Sequence, residues 1–179
     1  MISWKKLPQM SKLARLDKIF TIDPGNKFDR NKMITCGSDS SDKIAFVGRG
    51  ALRNGIVVFV QRYNDVEPYD AGKITVALGG SALASFVQQS RFYTAQNVAV
   101  LTPMTDMSLE VKLYYCLCIE ANRFRYSTFG REANRTLKSL LLPDVNSLPS
   151  WIDGCAGIAV DKLCRDLKTL SSANQALST

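Results

Sequence analysis

The sequence predicts a single α+β domain: a strongly bent mixed or antiparallel sheet, one buried helix over about 107–122, and short helices near the termini. Three observations carry that expectation. Short runs of β-branched and aromatic residues alternate with turn signals between residues 43 and 101. From Asp106 the apolar spacing becomes helical. A chain of 179 residues, 46% hydrophobic and 22% charged, is long enough for one good core and too apolar for a disordered tail. Because the strands precede the main helix instead of alternating with helices, a doubly wound parallel sheet is not expected.

Taken in order, residues Ser11 to Phe20 place Leu13, Leu16, Ile19 and Phe20 at helical spacing, so a short amphipathic helix is predicted there. Pro24-Gly25 marks a turn, and the polar run from Gly37 to Lys43 reads as an exposed loop. Lys43–Val47 and Ile56–Tyr63 read as strands joined through Gly48-Arg49-Gly50 and Asn54-Gly55, which are turn chemistry. Lys73–Leu78 is a third strand ending at Gly79-Gly80, and Asn97–Leu101 is a buried strand that stops at Pro103. Phe86–Gln89 and Arg91–Thr94 fit neither period. Asp106 or Ser108 supplies a helix cap, followed by Leu109, Val111, Leu113, Tyr115, Cys116, Leu117 and Ile119 as an apolar body. A last helix is expected from about Ile158 to Leu170.

Composition removes several kinds of chemistry. The chain has no histidine, so Ser-His-Asp and Cys-His catalysis are excluded, and a structural zinc site loses its commonest nitrogen ligand. Five cysteines, Cys36, Cys116, Cys118, Cys155 and Cys164, form no CxxC pair and read as reduced, mostly buried thiols of a cytoplasmic protein. No apolar run has transmembrane length, and the first twenty residues lack the apolar core and cleavage site of a secretory signal. A net charge of +7 favours an anionic partner such as nucleic acid. No metal and no cofactor are expected.

The segment from Ile119 to Pro143 concentrates the chemistry suited to such a partner. Arg123, Arg125, Arg131, Arg135 and Lys138 are interleaved with Phe124, Tyr126 and Phe129, with Gly130 and with the amides Asn122 and Asn134. Guanidinium and amide groups form the paired hydrogen bonds that read base edges and hold phosphates, and tyrosine adds a flat face with a polar tip. Arg131 and Asn134 follow the Phe129-Gly130 turn and are expected to read base edges, whereas Lys138 suits a phosphate. Helical spacing would put Arg131, Asn134, Arg135 and Lys138 on adjacent faces. The alternative is that these arginines pair with Glu120, Glu132 or Asp144 on the domain's own surface. Arg49 and Arg53, beside Asn54, form another cluster at the first hairpin, and the Gly79-Gly80-Ser81 turn can bring backbone amides to a phosphate.

Two stretches, GKITVALGGSALASFVQQSRFYTAQNVAVLTP and RFRYSTFGREANRTLKSLLLP, resemble the target recognition domain of the DNA specificity subunits of restriction–modification systems, both the type I subunits and the BcgI-like type IIB/IIG proteins. KLARLDKIFTIDPG and KIAFVGRGALRNGIVVFV are similar to the opening part of that domain, so the resemblance spans roughly 12–151. It implies a domain over 1–151 that reads half of a bipartite double-stranded DNA target, followed by a helix or linker over 152–179. It further implies that Ser81, Gln88 and Arg91 lie on the DNA side. The implied partners are a methyltransferase (modification) subunit and a restriction subunit. Full-length type I subunits carry two such domains, so the chain resembles half of one, and a homodimer is one way to complete it.

Two apparent catalytic motifs fit poorly. Phe46-Val47-Gly48-Arg49-Gly50 mimics a loop that binds S-adenosylmethionine, yet no NPPY or DPPY follows. Glu110 and Lys112, with Asp65 or Asp70 upstream, mimic a Mg²⁺-dependent nuclease set, yet residues two apart on a helix point away from each other. Beside the non-enzymatic DNA reader stand two rivals: that small nuclease, and an assembly module docking through the Tyr114-Tyr115 helix and the final helix.

Overall fold

In the computed structural model the described residues are 12–126, 133–158, 161, 162, 164 and 165. The chain divides between Leu148 and Pro149 into two compact units. Among the described residues the first unit holds ten strands and one α-helix: β1 (Leu13–Arg15), β2 (Phe20–Asp23), β3 (Thr35–Cys36), β4 (Ile44–Val47), β5 (Ile56–Val60), β6 (Ile74–Ala77), β7 (Ser85–Val87), β8 (Phe92–Thr94), β9 (Val98–Pro103), α1 (Leu109–Glu120) and β10 (Leu141–Pro143). The α+β class is borne out. The single bent sheet resolves into three sheets: an antiparallel four-stranded one, β2-β9-β6-β7, a mixed four-stranded one, β3-β5-β4-β8, and the pair β1-β10. Only β4 and β8 run parallel among these pairings.

Alternation along two strands explains how the sheets stack. In β9, Ala99 and Leu101 enter the core beneath α1, whereas Val98 and Val100 face the mixed sheet. In β4, Ala45 and Val47 meet that same middle layer, and Ile44 and Phe46 turn outward to Val60, Tyr93 and Met33. Each strand is therefore apolar on both faces, because it is covered on both faces. The helix closes the stack through Tyr115, Cys116 and Ile119. Ser108 caps it, its hydroxyl accepting from the Val111 amide (3.3 Å).

Three expectations are corrected. The helix foreseen over Ser11–Phe20 is one 3-10 turn, Leu16–Lys18, between β1 and β2. Distant partners take up these strands: Leu13 pairs with Pro143 and Phe20 with Pro103, and the Leu16 amide donates to the Leu140 carbonyl (2.8 Å). Leu16, Ile19 and Phe20 are buried all the same, so helical spacing marked the inward residues and not the backbone. The main helix is buried on one side only, leaving Leu109, Leu113 and Leu117 exposed as a stripe four residues apart. Of the cysteines, Cys116 is buried, Cys36, Cys118 and Cys155 are half-buried and Cys164 is exposed, with no disulfide among them. Burial, with Glu120 nearby, pushes the Cys116 thiol up to about 12, so it stays protonated near neutral pH.

In the second unit, residues 155–158, 161, 162, 164 and 165 are helical, an earlier start than Ile158. Leu170 lies outside the described residues.

Candidate nucleic-acid interface

The basic stretch leaves α1 as a 3-10 turn, Arg123–Tyr126, and returns after 127–132 as a turn at 133–136 and a second 3-10 turn, Leu137–Ser139. Arg131, with Phe129, Gly130 and Glu132, lies outside the described residues. The expected helical face over Asn134, Arg135 and Lys138 is not formed. Instead two buried side chains, Ala133 and Leu137, pin the segment down, and the Ala133 amide donates to the Leu78 carbonyl (2.8 Å). With those anchors turned inward, Asn134, Arg135 and Lys138 are left exposed. Tyr126 and Thr136 share a hydroxyl–hydroxyl hydrogen bond (2.7 Å) that ties the outgoing and returning turns together.

The result is two adjoining clefts that share Asn134. The larger, ≈ 690 Å³, is lined by Arg125, Tyr126, Asn134, Arg135, Thr136 and Ser139, with Leu140 at its base. The second, ≈ 440 Å³, runs on to Lys138, Asn97 and Lys27 over an apolar floor that includes Leu78 and Leu137. Arg123, Arg125 and Arg135 are exposed, and Arg125 sits 5.7 Å over the Phe124 ring. Arg15 pairs with Asp17 and Arg62 with Glu67, and neither pair involves Arg123, Arg135 or Lys138. Cations gathered along adjoining clefts raise the local positive potential, which attracts an anion.

The remaining expected residues separate. Arg49 and Arg53 are exposed on the first hairpin. The Gly80 loop closes against Arg49: Gly80 has φ +67°, and a Cβ there would lie 3.2 Å from the Arg49 Cβ. The Ser81 amide is spent on the Arg49 carbonyl (3.1 Å), which corrects the idea that it faces a phosphate. Gln88 is also corrected. Its side chain is 1% exposed and its amide donates to the Asn54 carbonyl (3.0 Å) and to Thr75 Oγ1 (2.7 Å), so it braces the hairpin on the sheet and reaches no base. Tyr93 is buried and donates to the Val66 carbonyl (2.6 Å). Arg91 is exposed but lines a separate hollow with Arg62 and Asp42. Glu110 and Lys112 lie on α1, as expected of residues that point apart, and among the described residues no cluster of three His, Cys, Asp or Glu side chains could hold a metal.

Sequence reading missed Lys27 and Asn97. The loop carrying Lys27 is clamped to β8: the Asn26 amide donates to Thr94 Oγ1 (2.8 Å), the Thr94 amide to Asn26 Oδ1 (3.1 Å), and the Phe28 amide to the Thr94 carbonyl (3.0 Å). The Asp23 carboxylate accepts from Tyr69 (2.5 Å) and from the Gly25 amide (2.8 Å). Burial, then that carboxylate, holds the Tyr69 hydroxyl above its ordinary pKa, so it stays a donor. Gly25 itself, at φ +75°, leaves no room for a side chain, since a Cβ would stand 2.4 Å from Thr94 Oγ1 and 2.6 Å from the Val98 carbonyl oxygen. Gly25→Ala is therefore expected to cost more than about 1 kcal/mol in urea unfolding, strain and clash adding together. The only sequence signal was Pro24-Gly25, which announces a turn and not its ligand face.

Fold and site together define a β-rich α+β domain that displays guanidinium, amide and ammonium groups along two joined clefts. Residues 8–143 match the family described as the type I restriction modification DNA specificity domain, and the chain belongs to that family. The family resemblance read from the sequence is thereby borne out. A relative from Heyndrickxia coagulans, the specificity subunit S.BcgI of a type II restriction enzyme, is 32% identical over 135 residues, covering 73% of this chain and 36% of that protein. The S subunit of the M. genitalium type I restriction–modification system has a similar structure, with TM-score 0.58 at 18% identity, covering 93% of this chain and 42% of that one. The HsdS subunit from Thermoanaerobacter tengcongensis is similar too, with TM-score 0.57 at 14% identity over 95% of this chain and 41% of that one. The chain thus spans less than half the length of each. These two structural likenesses speak for the fold.

Proposed function

We propose that this chain is a target recognition domain for double-stranded DNA that supplies sequence specificity to a methyltransferase or restriction complex. The observation that carries the reading is the pair of clefts around Asn134, which bring Arg125, Arg135 and Lys138 together with Tyr126 and the amides of Asn97 and Asn134. Arginine and asparagine there suit base edges, and Lys138 suits a phosphate. Arg131 belongs to this set by its place in the sequence, and Arg123, Arg49 and Arg53 suit the flanking backbone. The recognition domain is 1–151, and 152–179 serves as linker. Methyl transfer and cleavage belong to partner subunits, with none assigned to this chain. Its place is the cytoplasm, in keeping with the absence of any membrane-crossing helix among the described residues. A second half, from another chain or a second copy, completes a bipartite target.

Binding to a duplex of mixed sequence tests the reading through salt. Each neutralised phosphate adds about −0.9 to the slope of log affinity against log salt, so a slope steeper than about −3 is expected. A flat titration, or no binding even at low salt, would sink the proposal.

A further inference from the structure

Two side chains outside the basic stretch carry an unusual backbone and share one cleft. Lys27 has φ 58° and Asn97 has φ 59°, both in the left-handed region, and both line the ≈ 440 Å³ cleft with Asn134 and Lys138. Asparagine enters that region with help from its short polar side chain; lysine has no such help, and glycine would be the undemanding choice at either place. The conformation is imposed from outside. Thr94 holds Asn26 and Phe28 on either side of Lys27, and the Asn97 carbonyl accepts from the Leu78 amide (2.8 Å). Strain that the surroundings over-determine is a mark of a functional position. The Lys27 side chain is exposed, with no hydrogen bond or ion pair among the described residues.

The chemistry of the cleft is consistent along its length. Two ammonium groups, from Lys27 and Lys138, stand on a rim shared with two primary amides, above a floor that includes Leu78 and Leu137. Ammonium groups act as point charges for phosphate, amides pair with the edge of a base, and an apolar floor suits the face or methyl group of one. We propose that this cleft is a nucleotide subsite of the DNA interface, in which Lys27 holds a phosphate and Asn97 reads the adjoining base edge. The inference rests on the recognition reading above and adds to it a second wall, supplied by the loop before β3 and the turn before β9. Recognition then comes from three separate parts of the chain, fixed to one another by backbone hydrogen bonds, and not from the basic stretch alone.

Glycine substitutions separate this role from a structural one, because glycine accepts the left-handed backbone while removing the side chain. Lys27→Gly and Asn97→Gly are compared with the parent for thermal unfolding, for salt-dependent affinity, and for the motif retained from a randomised duplex library. Lys27→Gly is expected to weaken binding to every duplex and to flatten the salt slope by about 1, the mark of one lost phosphate contact. Asn97→Gly is expected to relax the motif at one position by about five-fold or more. Lys27→Gly is not expected to lower the Tm. Variants that bind with the parent's affinity, slope and motif overturn the subsite while leaving the recognition reading intact. Affinity that falls only in step with Tm overturns it too, by making the two residues structural. A parent protein that binds no duplex overturns the recognition reading and this inference together.

Discussion

Replacing Arg125 and Arg135 together with alanine is expected to lower duplex affinity by about 100-fold or more, since two arginine contacts to bases are worth about 1–3 kcal/mol each. Both side chains are exposed and line the cleft that contains Tyr126 and Asn134. Neither lies in a buried cluster, and the 5.7 Å approach of Arg125 to the Phe124 ring is a surface contact of small energy. Exposed substitutions of this kind change stability by about 0.5 kcal/mol or less, so lost affinity reads on the ligand and not on the fold. Fluorescence anisotropy at low salt, with thermal unfolding of the same samples, measures both. Affinity within about threefold of the parent, a difference of under 1 kcal/mol, would move the interface elsewhere.

Phe20→Ala is expected to cost about 3–5 kcal/mol, the range for deleting a buried aromatic ring. Phe20 is 0% exposed and meets Tyr115 edge-to-face at 5.2 Å, joining β2 to α1. The Tyr115 hydroxyl in turn donates to the Pro143 carbonyl (2.9 Å), so the same contact reaches β10. The cavity would open where sheet, helix and returning strand converge, and none of the three can collapse without disturbing the others. Against a total stability of about 5–15 kcal/mol, that loss leaves a marginal domain. Urea unfolding should show a lower midpoint with the slope preserved. A loss under about 1.5 kcal/mol would mean that the site repacks, contrary to this description.

The parts of the fold that the sequence disclosed are those whose hydrogen bonds and burial are local or symmetrical. Strands at Ile44–Val47, Ile56–Val60, Ile74–Ala77 and Val98–Pro103 stand where β-branched runs between turn residues placed them. The helix stands at its cap, Ser108. What stayed hidden depends on distant partners. Leu13–Arg15 is a strand because Leu141–Pro143 lies beside it, and nothing in Leu-Ala-Arg announces that pairing. The parallel contact of β4 with β8 likewise joins segments with three strands between them in sequence, so the division into separate sheets could not be read from alternation. The candidate site divides the same way. Arg125, Tyr126, Asn134, Arg135 and Lys138 were legible because charge, amide and aromatic groups lie close together in the chain. Gln88 was misread because a glutamine beside turn residues looks exposed, and only the hairpin folding back puts Asn54 against its amide. Lys27 and Asn97 escaped because a left-handed backbone leaves little trace in composition unless the residue is glycine.

The central claim is that this domain reads base sequence, and selection from a randomised duplex library tests it most directly. The bound fraction is sequenced at rising salt. Recognition through the two clefts predicts an enriched motif of a few base pairs that survives as nonspecific phosphate binding is screened away. Duplex DNA retained without any enriched motif, and lost uniformly as salt rises, would contradict it.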